Sequence, residues 1–427
     1  MERRRGLPFV VASLLVAVAC TGSSDPASSL SASPTSAGGV ATPPGAASLP
    51  GTLLVLDGTG SLVTLRPDGT GRVTLAVQAP GSLQVSQAAW APDGARVAWS
   101  QVDDRDGSPT ARVITSTPGG AERVETTVGF VPFYLSWDPT SRHVAYLGNR
   151  GDDVGLGVVA GASGPEPRDT GLDRGSPYYF SWSPGGDRML VHVGDDRLEE
   201  LTIDGAITTK VDRPGVFQAP AWSSDGSIRV YVRRGRGLTQ GLIAQVDGET
   251  REVATPKGAV FMVLSPDGRH LAYQALEPDE LDIYDRTLPE RATDVGVTVL
   301  DLRSGEIQHV SSEVAAAWYW SPDGSRLAVL EPVYASDGPI TFRWRIWGGS
   351  ASFTTPVFSP GLTLLQSYQP FFSQYAQSMS MWAPDGSAFA FPIEVPGSLT
   401  SIVVQPVDRD EPPYLVSEGT FAAWSPT

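Results

Sequence analysis

Residues Ala89–Trp99 read AWAPDGARVAW, and each part of that stretch has a structural meaning. A short strand ends in a large aromatic that can pack against a neighbouring sheet. Proline then sets φ at the first turn position, aspartate can bond its own backbone, and glycine supplies a positive φ. The tail, RVAW, places apolar side chains at alternate positions, which is the period of a strand. The same pattern returns as SWDPTSRHVAY from Ser136, SWSPGGDRMLV from Ser181 and AWSSDGSIRVY from Ala221. It returns again as VLSPDGRHLAY from Val263, YWSPDGSRLAV from Tyr319 and MWAPDGSAFAF from Met381. The chain ends on a fragment of it, AWSPT from Ala423.

The repeat aromatics are Trp90, Trp137, Trp182, Trp222, Trp320, Trp382 and Trp424, with Leu264 in the one remaining place. Their spacings are 47, 45, 40, 42, 56, 62 and 42 residues. A period of this size, built from short strands and turns, describes a propeller array in which each repeat is one four-stranded antiparallel blade. A third strand is readable after each motif, as in LEELTIDG (198–205) and VTVLDLRSG (297–305), ahead of a more polar fourth. Residues 52–76 hold three strands with no tryptophan strand before them. The C-terminal FAAWSP supplies that strand, completes the first blade and removes the open sheet edges. The expected fold is all-β, a closed propeller of eight blades, or of seven if the repeat around Leu264 or the 62-residue interval is irregular.

These repeats resemble the TolB-type, WD-repeat-like propeller units, whose signature is an aromatic followed by SPDG and an apolar alternation. The likeness covers nearly all of residues 52–427. LLQSYQPFFSQYAQSMSMWAPDG (Leu364–Gly386) is also similar to a stretch of bacterial TolB-like lipoproteins. TolB carries an extra α/β domain before its propeller and partners a peptidoglycan-associated lipoprotein. No such domain fits ahead of the first blade here, so the resemblance implies the fold and not a place in the Tol system.

The N-terminus runs MERRRGLPFVVASLLVAVAC: three arginines, an apolar stretch from Leu7 to Ala19, then Cys20. This is the layout of a secretory signal, too short for a spanning helix. Its end resembles the lipobox of bacterial lipoproteins, which implies a lipid on Cys20, the chain's single cysteine and therefore no partner in an internal disulfide. Residues 1–19 are expected to be the signal peptide. Residues 20–50, rich in Ser, Ala, Pro and Gly, form a disordered tether, and 51–427 form the propeller. A tether of that length reaches about 30 Å. The expected location is the extracytoplasmic side of the cell membrane, held by the lipid.

The formal charge is −16 and the pI near 4.7. A chain of that sign is repelled by phosphate backbones, so nucleic acid is not an expected partner. No G-x-S-x-G nucleophile elbow occurs, although propellers of this type also serve as lids on serine peptidases. His143 and His270 sit at equivalent repeat positions in separate blades and are not expected to converge on a metal. DDRDG (Asp103–Gly107) resembles a calcium loop but has Val102 where the first ligand belongs. No cofactor or metal is expected.

What remains is the face made by the loops between second and third strands and between blades. Acidic loops carry Asp103, Asp152, Asp153, Asp195 and Asp196, interrupted by Arg233, Arg234 and Arg236. An insertion at 276–296 adds Asp279, Glu280, Asp282 and Asp285. The blade connections are aromatic, with Tyr134, Tyr179, Phe261, Trp318, Phe372 and Tyr375 as candidate binding residues. They read either as packing that plugs the channel mouth or as a platform within an acidic rim, suited to a sugar, a peptide or a cationic partner. The expected function is a lipid-anchored binding or scaffold module for an envelope protein or polysaccharide. The alternative is an extracytoplasmic lyase or hydrolase working in the channel.

Overall fold

The computed structural model describes residues 48–78, 83–103, 110–162, 170–277, 296–334, 339–348, 351–395, 400–407 and 411–427. The signal segment, Cys20, nearly all of the tether and the acidic insertion with Asp279, Glu280, Asp282 and Asp285 lie outside the described residues, as do 104–109 of the calcium-like loop.

Every described regular element up to Pro360 is a strand. Six sheets have four antiparallel strands in chain order, and their inner strands are Leu83–Trp90, Val131–Trp137, Tyr178–Trp182, Ala221–Trp222, Ala259–Leu264 and Ala317–Trp320. Burial falls from the centre outward and accounts for the changing polarity along each repeat. Ala317–Trp320 is wholly buried and Leu327–Val333 nearly so, whereas the outer strands Ile207–Lys210 and Ile307–His309 are exposed throughout.

The seventh sheet has seven strands, because Tyr414–Trp424 serves two units. Its first half pairs with Ser401–Val404, and its second half pairs with Leu53–Asp57 in the register Leu53↔Trp424 to Asp57↔Gly419. The crossing point is Gly419, where a Cβ would stand 2.7 Å from the Leu56 carbonyl oxygen. The C-terminal strand thus completes the first repeat, and the propeller is closed. Seven of the eight motif positions lie in strands and Trp382 in an isolated bridge, and the strands form seven hydrogen-bonded sheets, so the propeller has seven blades and not the eight expected, since the last and first units share one uninterrupted strand. The 62-residue interval is the irregular one. Its inner strand is reduced to a bridge between Trp382 and Phe389 and one bond from Ala390 N–H to the Met381 carbonyl.

The motif turn is built as its residue types dictate. Gly94 N–H donates to the Ala91 carbonyl and Ala91 N–H to the Arg96 carbonyl, both at 2.9 Å, and the other six complete motifs repeat this pair of bonds. Gly94 has φ +71°, and Ser141 takes the same left-handed place at +59° where its motif lacks glycine. Above each turn the tryptophan reaches back to the preceding repeat. The indole N–H of Trp137 donates to the Ala89 carbonyl (3.2 Å), Trp182 to Ser136 (3.3 Å), Trp320 to Val263 (3.1 Å) and Trp382 to Tyr319 (3.1 Å). In each case the acceptor is the residue just before the previous motif position, which is Leu264 in the case of Trp320. Trp90 makes the same bond to Ala423 (3.1 Å), across 333 residues of chain, and so closes the ring.

Three positions depart from this series for visible reasons. Leu264 has no donor. Trp222 lies beneath the guanidinium groups of Arg188 and Arg229, 5.8 and 5.3 Å from its ring, and both arginines bond the buried Glu200. Trp424 turns its N–H to the Pro50 carbonyl (2.8 Å), stitching the start of the fold to its end.

Replacing Trp90 by Phe keeps an aromatic ring but removes the donor to Ala423. The expected cost is about 1–3 kcal/mol, the usual penalty for a buried group deprived of its partner. Trp222→Phe, which strands no carbonyl, is expected to cost less. Urea denaturation of the two variants beside the parent protein checks the order, and equal losses would remove the indole bond as the closing element.

Candidate functional site

The channel at the centre of the ring is occupied by the chain itself. Between Pro360 and Ser380 the backbone leaves the sheet and folds into three short turns: a π-helical turn (Leu364–Tyr368), a 3-10 turn (Gln369–Phe371) and an α-helical turn (Phe372–Tyr375). Pro370, at the start of the 3-10 turn, has no N–H to give, so the change of helix type falls where a regular ladder would be broken anyway. No residue from Gly361 to Ala383 is charged.

Glutamines fasten this plug to successive inner strands. Gln374 Nε2 donates to the Phe180 carbonyl (2.9 Å) and to Tyr134 Oη (3.0 Å), while its Oε1 accepts from Phe180 N–H (2.9 Å). Gln369 Nε2 donates to the Ala316 carbonyl (3.2 Å) and Gln377 Nε2 to that of Pro220 (3.1 Å). Tyr375 Oη donates to the Phe133 carbonyl (3.1 Å), and Tyr134 Oη to the Gln374 carbonyl (3.0 Å). The buried amide of Gln218 faces the Val260 carbonyl through its nitrogen (2.7 Å) and accepts from the plug's Ser373 Oγ (3.0 Å).

The candidate aromatics gather round this plug. Tyr134 meets Tyr375 edge-on at 5.1 Å, Trp318 meets Phe372 at 4.5 Å, and Phe261 stacks on Phe372 at 6.1 Å. Tyr134, Trp318, Phe372 and Tyr375 are buried, and Phe261 is partly so. Tyr179 stands apart, half-buried and stacked on Phe217 at 4.3 Å. Burial raises the pKa of Tyr134, Tyr368 and Tyr375, so their hydroxyls remain protonated donors. What the plug leaves outside is a second aromatic set at the same mouth: Phe133 (38% exposed) and Phe371 (46%).

The rim is charge-paired where it is described. Arg234 donates to the Asp195 carbonyl (3.0 Å), Arg233 bonds Glu252 (2.7 Å), and Arg197 bonds Asp173 (2.7 Å). Its acids are therefore partly neutralised by arginines from the same or the adjoining sheet.

The histidines lie apart from one another. His143 Nδ1 meets Asp138 of its own turn at 2.8 Å, and His270 stacks on Trp320. His309 Nδ1 meets Thr298 Oγ1 at 3.3 Å. His192 is buried, with Nδ1 on the Gln218 carbonyl (2.9 Å) and Nε2 without a partner. Among the described residues no three His, Cys, Asp or Glu side chains are placed to share a metal.

Sequence reasoning did not find the anchoring glutamines or the two exposed phenylalanines. The available signal was the surplus length of the 62-residue interval, an uncharged run with Gln366, Gln369, Gln374 and Gln377 at short spacing.

No protein-family model matches the chain. An uncharacterized peptidase of Bacillus subtilis (strain 168), YuxL, is 30% identical over 207 residues, 45% of this chain and 30% of that protein. The match therefore covers less than a third of the relative's length. A eukaryotic initiation factor is similar in structure over 88% of this chain and 98% of its own (TM-score 0.53, 10% identity). A prolyl endopeptidase is similar over 80% of this chain and 50% of its own (TM-score 0.51, 13% identity). TolB from Acinetobacter baumannii is matched at a TM-score of 0.37 over 78% of this chain and 83% of its own (11% identity). At these identities the likeness to solved structures is one of fold, and the fold is a β-propeller. No helix among the described residues is long and apolar enough to cross a membrane.

Two outcomes follow from the plug's construction. Gln374→Leu strands the Phe180 amide and carbonyl in a buried site, with an expected loss of about 2–4 kcal/mol in chemical denaturation. The second concerns His192, whose pKa burial lowers from 6.5 to about 4. Its stabilising contribution is complete above pH 6.5 and falls away as pH drops towards 4, because the unfolded chain takes up the proton first. Going from pH 7 to pH 5 is expected to cost about 2 kcal/mol through this group, and His192→Gln is expected to flatten that part of the pH–stability curve.

Proposed function

We propose that this protein is a binding or scaffold module of the cell envelope, exported and tied to the membrane through a lipid on Cys20. Its loop face recognises an envelope protein or polysaccharide. The observation that supports this reading is the plug. The channel mouth, where a propeller enzyme would gather its reacting groups, is filled by the chain's own uncharged segment and held by glutamine bonds to several inner strands. That leaves a rigid surface with exposed aromatic rings in place of a cleft, the form suited to holding a partner. The chain also enters the fold at the opposite face, where Pro50 meets Trp424 beside the motif turns.

A second reading, an extracytoplasmic hydrolase or lyase, draws on the likeness to YuxL and to a prolyl endopeptidase fold. It requires the plug to leave the channel, and the 427 residues carry no G-x-S-x-G elbow.

The experiment is photocrosslinking in the native cells, with the crosslinking amino acid at 133 or at 371 and mass spectrometry of the product. The binding reading predicts one reproducible envelope partner, captured from both positions and lost when the neighbouring phenylalanine is replaced by glutamate. Capture that is indifferent to Phe133→Glu and Phe371→Glu would sink it.

A further inference from the structure

The plug occupies only part of the channel. On its far side, at the face of the motif turns, remains an open cavity of about 230 Å³. Four ladder tryptophans, Trp90, Trp137, Trp320 and Trp382, line its walls, and the turn prolines Pro92, Pro266, Pro322 and Pro426 line it as well. Val263, Leu264 and Tyr319 line it too, and the rest of the wall is one continuous piece of chain, Ala376 to Met381, with Gln377, Ser378 and Ser380 as its polar side chains. None of the described residues lining the cavity is charged.

We propose that this cavity binds one neutral pyranose ring. Its two kinds of wall match the two kinds of surface on such a sugar. The indole N–H groups of Trp90, Trp137, Trp320 and Trp382 are already committed to backbone carbonyls and their rings are buried, so these residues offer the cavity only apolar ring edges, while Pro92, Pro266 and Pro322 present exposed rings. Aromatic and proline rings take the C–H face of a pyranose by dispersion and burial. The opposite wall offers a hydroxyl with capacity to spare. Ser378 Oγ reaches the Tyr375 carbonyl at 3.5 Å and also bonds the Tyr134 hydroxyl, whereas Ser380 Oγ gives its hydrogen to the Trp382 carbonyl (3.2 Å) and keeps both lone pairs for a ligand. The lack of a charged wall selects against carboxylated, phosphorylated and amino sugars, whose charge would be desolvated without a counter-ion. The volume fits one ring: a cavity of about 150 Å³ takes up benzene, and a substituted six-membered ring needs moderately more. This site is separate from the loop face, so it stands or falls independently of the partner proposed there.

Isothermal titration calorimetry of the full-length protein with glucose, galactose, mannose and N-acetylglucosamine tests the assignment. At least one is expected to bind saturably at millimolar concentration. Glucuronate and glucosamine should bind more than tenfold more weakly than the best neutral sugar. Ser378→Leu, which pushes an apolar side chain into the cavity, should abolish the heat, with circular dichroism confirming that the variant is folded. If that variant fails to fold, Pro266→Ala on the exposed rim should weaken binding severalfold. A trisaccharide ending in the preferred sugar separates the sources: tighter binding than the monosaccharide means the end of a glycan, and equal or weaker binding means a free sugar. No saturable heat with any of the four sugars, binding that survives Ser378→Leu, or a preference for glycyl-proline over every sugar would each overturn the assignment.

Discussion

The bond that five of the motif tryptophans make to the carbonyl ahead of the previous motif position is the constraint on which the rest depends. Sheets in a ring must be held at a fixed angle, and apolar packing alone tolerates sliding. A directional bond from a large buried ring does not. It fixes how deep one inner strand sits against the next, and it satisfies an indole N–H that would otherwise be buried without a partner. The series closes on itself through Trp90 and Ala423, so the chain's two ends are joined by the same device that joins neighbours in sequence. Where the device is missing, something else takes its place. At Trp222 two arginines and the buried Glu200 form a charge-assisted substitute, in which the guanidinium groups lie over the indole and the carboxylate bridges them.

A ring fixed in this way leaves a channel whose width the strands alone cannot reduce, and the plug is the solution found here. Its irregular helical turns follow from its surroundings: a straight α-helix would present one apolar stripe, whereas this segment must face inner strands on every side. Glutamine suits that task. It is uncharged, long enough to reach a neighbouring strand, and carries both donor and acceptor, so Gln374 alone satisfies the N–H and the carbonyl of Phe180. The buried tyrosines share the work, and burial keeps their hydroxyls protonated and therefore able to donate. A filled channel mouth is a finding about function as much as about packing, because it converts the centre of the propeller from a passage into a surface.

Much of this was legible in the residues. The motif turns, the strand order and the closure by FAAWSP follow from local chemistry that repeats, and repetition makes a weak signal strong. The count did not follow, because Tyr414–Trp424 runs through two units without a break and nothing in its sequence says that a strand may serve both. Tyr134, Phe261, Trp318, Phe372 and Tyr375 gather round residues 361–380 while Tyr179 stands apart, and which of them would be covered depended on where that segment goes. That is a long-range matter on which periodicity is silent. Tyr134 and Phe133 are adjacent in one strand and face opposite ways; the alternation separates them, but that Tyr134 is covered by Gln374 depends on the plug.

The two ends of the channel consequently differ in chemistry although one repeat builds both. At the loop end each repeat contributes a different connection, so the surface there is particular to this chain: phenylalanines beside the plug, and arginines paired with acids along the rim. At the turn end most repeats contribute the same proline and the same tryptophan, so the surface there is nearly uniform, apolar and uncharged. A varied surface can discriminate between macromolecular partners, which differ over large areas. A uniform ring of small aromatic and proline surfaces can only recognise something small and of low charge. The chain enters the fold at the turn end, where Trp424 holds Pro50. The division of labour proposed between the faces follows from which parts of the repeat were free to vary.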